Sequence, residues 1–342
     1  MIWQPQSIYF IIIHEGIIGR RRRRLVCFVS IGGREDAVLP FESVYIRTHR
    51  SGRLTEKAIL AENSLRDCAL CPNNCRVNRI DGEIGDCKAS AQMVVSGISP
   101  HFGEEPPLVG FSGSGTIFFS HCNLACIFCQ NYSISHQGDG VVMSPEGLAR
   151  GMLKLQEMGC HNVNLVTPTP HLAGILRAVN LAVADGLSVP IVYNCGGYES
   201  VEALKLMDGV VDIYMPDFKY GNNRVGESYS GVPDYFDRAR EAFLEMQRQV
   251  GVLETDDRGI AVRGLLIRHL VLPGDAAGSE AVCRFIASEL SKESHVNMMD
   301  QYRPCYQADK VPELNRPISR EEYRRAVTVA GRFGLHRGFE HA

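Results

Sequence analysis

No stretch of this 342-residue chain comes near the ~20 consecutive apolar residues that a membrane span requires. Neither sign of charge dominates: 36 Lys and Arg stand against 39 Asp and Glu, for a net charge of -3 and a pI near 6.4. A nucleic acid or an anionic membrane surface usually calls for a net basic face, so small-molecule chemistry is the better expectation. After residue 41 there is no short internal repeat and no low-complexity linker, which excludes solenoid, fibrous and disordered classes. With 45% hydrophobic and 22% charged residues, the chain can bury a sizeable core. Twelve cysteines are too few for a secreted disulfide scaffold of this length. Seven of them fall into two clusters, which reads as metal binding; Cys27, Cys160, Cys195, Cys283 and Cys305 are isolated and read as small buried apolar residues.

The first forty residues differ from the rest. The apolar run Ile8 to Ile18 is interrupted by His14 and Glu15, and the arginines Arg20 to Arg24 follow it, the wrong order for a secretory signal. No methionine occurs between Met1 and Met93, so residues 1–40 are expected to be a disordered or misassigned extension, with the working chain starting near Phe41. N-terminal sequencing of the native protein decides this.

From Gly115 onward, apolar runs alternate with helical patterns. Strands are expected at 115–120, 162–167, 189–194, 210–217, 264–272 and 295–300. The helices between them have legible ends: Ser144-Pro145 as cap and first turn, Gly251 as terminator after 241–250, and a Ser319/Glu322 capping box. Six such units argue for an α/β fold with a parallel sheet buried on both faces, either an open doubly wound sheet or a partial (β/α) barrel. Polar residues collect where chemistry occurs in such folds, at the carboxyl ends of the strands: His121 and Cys122, Thr167 and Thr169, Asn194, Asp217 and Lys219, then Gln301 and Arg303.

Cys122, Cys126 and Cys129 form C-x3-C-x2-C after the first of these strands. Three thiolates on one loop leave an iron–sulfur cube with one iron that has no protein ligand, an open binding site. The alternative is zinc, completed by His121 or His136. A second set, Cys68, Cys71, Cys75 and Cys87, is spaced C-x2-C-x3-C-x11-C and broken by Pro72, Gly82 and Gly85, a compact knuckle able to enclose zinc or an iron–sulfur cluster.

The stretch "GTIFFSHCNLACIFCQN", with Phe128 before the third cysteine, resembles the cluster-binding motif of the radical S-adenosylmethionine (SAM) superfamily. From Phe41 to the C-terminus, segments such as "HFGEEPPLVG", "VYNCGGY", "DIYMPDFKY" and "MDQYRP" resemble the PflX-like group, named for pyruvate formate-lyase activating enzymes. The resemblance implies a partial (β/α)6 TIM-type barrel over 111–342, preceded at 41–110 by a helix and the cysteine-rich metal-binding knuckle. It implies a 4Fe-4S cluster on Cys122, Cys126 and Cys129, with SAM on the open iron, reductive cleavage to a 5′-deoxyadenosyl radical, and hydrogen abstraction from a substrate. Asn194, Asp217 and Lys219 match positions that help to hold SAM. It also implies an electron donor such as flavodoxin or ferredoxin, a cytoplasmic setting, and a glycine of a partner protein as one candidate target. Where many members carry Gly-Gly-Glu after the second strand, this chain has "VTPTP", which offers Thr167 and Thr169 hydroxyls but no carboxylate. Tyr302, Arg303, His101, Glu104 and Glu105 are further candidates to face the substrate. The competing functions are a non-catalytic iron–sulfur electron carrier and a zinc protein.

Overall fold

The computed structural model describes residues 41–339. The expectation for 1–40, including Cys27 and the arginine run, lies outside them. Phe41 onward forms one compact unit.

All six expected strands are present, and they pair in parallel in chain order. Numbering every strand from the N-terminus, they are β2 (Ser114–Phe119), β4 (Val163–Val166), β5 (Ile191–Cys195), β6 (Ile213–Pro216), β8 (Ala261–Leu270) and β9 (His295–Met299). Helices such as Pro145–Glu157, Leu172–Ala184 and Tyr235–Val250 cover the outer face, which gives the partial (β/α)6 barrel. Their ends follow the sequence. Ser144 Oγ accepts from Gly147 N–H with Pro145 at the first position, Gly251 terminates Tyr235–Val250 at φ 75°, and both halves of the Ser319/Glu322 capping box form.

Three strands went unforeseen: β1 (Met93–His101), antiparallel to β2, with the short β3 (Val141–Met143) beyond it, and β7 (Glu254–Thr255) beside β8. The run "MVVSGISPH" carries Gly97 and Pro100, both poor strand residues. It is tolerated because β3 pairs only with Met93–Val95, so Pro100 lies where β1 is an edge and its missing N–H costs no ladder bond.

Alternation along the strands separates two apolar layers. Tyr193 and Tyr214 face the helices, while Val192, Ile213, Met215 and Leu266 form a smaller cluster inside the barrel with Leu108. Leu108 comes from the short helix Pro106–Val109, and its carbonyl accepts from Asn162 Nδ2 at 2.9 Å, which plugs the amino end of the barrel. The segment "HFGEEPPLVG" therefore enters the barrel from below, carrying Glu104 and Glu105 with it.

Candidate radical SAM site

The loop after β2 turns at His121, whose φ of 71° lies in the left-handed region. Three thiols follow on a backbone pinned from several sides. Ala125 N–H donates to the Ser230 carbonyl and Ile127 N–H to that of Tyr229, each at 2.9 Å, and Gln307 N–H donates to the Ile127 carbonyl at 2.8 Å. Each sulfur has a polar neighbour: Leu124 N–H 3.4 Å from Cys122 Sγ, Ser230 Oγ 2.9 Å from Cys126 Sγ and Ser135 Oγ 3.1 Å from Cys129 Sγ. Burial pushes the Cys122 and Cys126 thiols up, and the positive charge of Lys219 draws both partly back. Burial also acts upward on Cys129, but hydrogen bonds from His136, Ser135 and the Asn131 backbone outweigh it and leave that thiol below its ordinary value. Ionised Cys122 and Cys126 thus need a cation nearby, as metal ligands do.

Below the loop, the carboxyl ends of β5, β6 and β8 deliver a charged group. Asp217 Oδ2 accepts from Lys219 Nζ at 2.8 Å, and its Oδ1 accepts from Arg268 Nε at 2.8 Å. Arg268 Nη2 donates to Asn194 Oδ1 at 2.8 Å, and Nη1 lies 3.6 Å from Glu104 Oε2. Asp217 feels burial acting upward, yet the two cations hold it below the usual carboxylate range. Glu105 is buried, accepts from Asn297 Nδ2 of β9 at 2.5 Å, and is raised by burial against the opposing pull of Arg268. Asn164 of β4, wholly buried, has no partner for either amide atom.

The expected residues Cys122, Cys126, Cys129, Asn194, Asp217 and Lys219 therefore come together. Gln301 and Arg303 are exposed, and Tyr302 is buried with its hydroxyl on the Leu314 carbonyl at 2.7 Å, a structural role. Thr169 turns away from the interior: its hydroxyl donates to Glu199 Oε1 at 2.8 Å, and Tyr193 hydroxyl reaches Glu199 Oε2 at 3.1 Å, in the layer between strands and helices. Glu199 is thus no substitute for the carboxylate missing after β4. Sequence reasoning passed over Arg268; its signal was an arginine two positions beyond the inward-facing Leu266 on a buried strand.

Cys68, Cys71, Cys75 and Cys87 gather in the loops after the helix Arg53–Asn63, where Asn74, Arg76 and Lys88 all take positive φ. The knuckle is joined to the loop after β2, since Asn73 Nδ2 donates to the Asn123 carbonyl at 3.0 Å and Cys87 and Cys122 line one cavity of about 140 Å³. All eleven cysteines of the described residues are free, and Cys160, Cys195 and Cys283 are buried as expected of small apolar residues. Among the described residues, no group of three or more His, Cys, Asp or Glu side chains could hold a single metal ion as it stands. His136 Nε2 lies 3.2 Å from the Cys126 carbonyl.

A parallel partial barrel with three thiols on the loop after its first parallel strand defines the class of protein. The family model for the radical SAM superfamily matches residues 116–265. An uncharacterized protein of Methanocaldococcus jannaschii is 35% identical over 289 residues, covering 82% of this chain and 78% of that protein. Two solved structures resemble the chain at 15% identity. A radical SAM methyltransferase from Sphaerobacter thermophilus has a TM-score of 0.43 over 85% of this chain and 90% of that one. HydG, a maturase of the [FeFe]-hydrogenase, has a TM-score of 0.42 over 63% and 47%. The chain belongs to the radical SAM superfamily. Membership implies a 4Fe-4S cluster and SAM, and SAM cleavage as the chemistry. Among the described residues no helix is long and apolar enough to cross a membrane.

Proposed function

We propose that the protein is a radical SAM enzyme that abstracts a hydrogen atom from a substrate seated inside the barrel. The observation that carries this is the junction of the Cys122-Cys126-Cys129 loop with the Lys219-Asp217-Arg268 group, whose lysine charge acts on Cys126 and Cys122. The donor set fits the family's cofactors: three thiols for a cube, then a cation, a carboxylate and an amide for an amino acid. When bound, these supply a 5′-deoxyadenosyl radical from reductively cleaved SAM.

In this reading Cys122, Cys126 and Cys129 hold the cluster. Lys219 sits where it can neutralise a ligand carboxylate, and Asp217, anchored by two cations, stays ionised to accept from it. Arg268 occupies Asn194 Oδ1 and so aims the amide N–H groups of Asn194 at the ligand. Glu104, Glu105 and Asn297 make the floor on which a polar substrate rests, and the unpartnered Asn164 faces that interior. An electron donor such as flavodoxin or ferredoxin reduces the cluster. A glycyl-radical protein, the target suggested by the PflX-like resemblance, is one candidate substrate. The knuckle carries a metal of its own, zinc or iron–sulfur, on Cys68, Cys71, Cys75 and Cys87.

Anaerobic reconstitution with iron and sulfide, dithionite reduction and addition of SAM tests the reading through 5′-deoxyadenosine. Formation above that of a cluster-free control supports it. A fully loaded protein that makes none, even with cell extract supplying substrate, contradicts it and leaves the electron carrier.

A further inference from the structure

Arg79 is the largest of the wholly buried side chains, with 2% of its surface exposed. A guanidinium keeps its charge at any accessible pH, so a buried one requires a counter-charge. Among the described residues Arg79 forms no ion pair with a carboxylate, although 18 ion pairs join other residues. Its Nη2 donates to the carbonyls of Ser90 and Pro170, the latter at 2.7 Å, and its Nε has no partner. What faces the remaining nitrogen is sulfur: Nη1 lies 3.9 Å from Cys68 Sγ. The charge of Arg79 also acts on Cys87, the last cysteine of the same set.

The knuckle is built as a ligand set rather than as a loop that happens to contain cysteines. Backbone amides point at its sulfurs: Asn73 N–H at Cys71, Asp86 N–H at Cys75 (3.4 Å) and Ala89 N–H at Cys87. Leu124 N–H approaches Cys122 Sγ in the same way, two residues on, in the loop whose family cofactor is known. Gly85 lies so close to Cys75 that a Cβ there would come within 2.8 Å of its sulfur. Zinc at a Zn–S distance of ~2.3 Å would hold its sulfurs about 3.8 Å apart. Neither cysteine set is gathered tightly enough for one ion, and a cube spaces its thiolates more widely.

Resting on the reading that the knuckle holds a metal, we infer that this centre is an iron–sulfur cluster on Cys68, Cys71, Cys75 and Cys87, and that Arg79 is its buried counter-charge. Four thiolates around such a cluster carry net negative charge, which Arg79 balances while its other bonds reach the Pro170 carbonyl at the rim of the barrel. Arg79 is a positioning residue: it ties the second centre to the turn Thr169–His171 that follows β4. Because Cys87 and Cys122 line one cavity, the second cluster adjoins the first.

The test begins with the full chain carrying Cys122→Ala, Cys126→Ala and Cys129→Ala, purified anaerobically and assayed for iron, sulfide and zinc. Iron and sulfide in equal amounts support the assignment. Zinc without sulfide overturns the cluster and leaves a knuckle metal, whereas no metal overturns that reading as well; neither result touches the radical chemistry of the unaltered loop. In the same background, Arg79→Met should retain at least tenfold less iron, and Arg79→Lys most of it. Equal retention by all three overturns the role of Arg79. A variant that folds poorly is covered by a cycle of melting temperatures. In the metal-loaded chain Arg79→Met should lower Tm. In a chain whose four knuckle cysteines are alanine it should raise Tm, because a buried charge without its counter-ion has been removed. A change of the same sign in both backgrounds overturns the inference.

Discussion

Arg268 and Asp217 lie side by side on neighbouring parallel strands and form an isolated bridge, and the Arg268 guanidinium donates to Asp217 Oδ1 at 2.8 Å while also holding Asn194 Oδ1 at 2.8 Å. One side chain thus fixes two of the residues assigned to the ligand. Its removal leaves Asp217 with Lys219 alone and Asn194 free to rotate. Arg268→Met should lower stability by about 2 kcal/mol, the order of a lost hydrogen bond to a charged group, since Lys219 still pairs with Asp217. It should also cut 5′-deoxyadenosine formation by roughly tenfold or more, about 1.4 kcal/mol or more on the barrier. Urea unfolding and product quantification under anaerobic conditions check both.

Gly197 is the position where the turn after β5 cannot change. Its φ is 78°, and a Cβ there would collide with the carbonyl of Asp217. Gly197→Ala should therefore displace Asp217 and weaken SAM binding by about tenfold, read by equilibrium titration. Gly186→Ala, also at positive φ but with open space around it, serves as the control and should leave binding unchanged.

Ser230 stands 2.9 Å from Cys126 Sγ and 2.6 Å from the Tyr220 hydroxyl. With Cys126 as a cluster ligand, the serine hydroxyl donates to sulfur and the tyrosine donates to serine. Hydrogen bonds to cluster sulfurs raise the reduction potential. Ser230→Ala should lower it, measured by redox titration followed by electron paramagnetic resonance, and an unchanged potential would remove Ser230 from the cluster's surroundings.

Much of this architecture could be read from the chain, and the failures have physical causes. The six parallel strands were legible because burial on both faces leaves nearly continuous apolar runs, whereas β1 was hidden by Gly97 and Pro100. The cysteine loop and Asp217-x-Lys219 were legible because they are local in sequence. Arg268 was not, since its partners Asn194 and Glu104 are distant along the chain and only the closing of the barrel unites them. Gln301 and Arg303 follow β9 just as Asp217 follows β6, yet they point to solvent, because β9 borders the open side of the partial barrel. Position after a strand is thus not sufficient for the site, and Asn194 and Arg268 reach it from within β5 and β8.

Burial raises Glu199 to about 7, against partial relief from Thr169 and Tyr193, while an unfolded glutamate titrates near ~4.3. Between those values the folded chain holds a proton that the unfolded chain has released, so stability falls as pH rises from about 4 to about 7. Asp212, raised to about 7 by burial, acts in the same direction. Glu199→Gln should flatten the decline by about 3 to 4 kcal/mol across that window, leaving the share of Asp212. Urea midpoints at several pH values check this; identical slopes in parent and variant would show that Glu199 stays ionised.

The central claim is that the three thiols after β2 hold the cluster at which SAM is cleaved. The most direct test is 5′-deoxyadenosine produced by the reconstituted, dithionite-reduced protein beside its Cys126→Ala variant. Product from the parent and none above background from the variant is the predicted result; equal product from both, or none from a parent carrying a complete cluster, would contradict it.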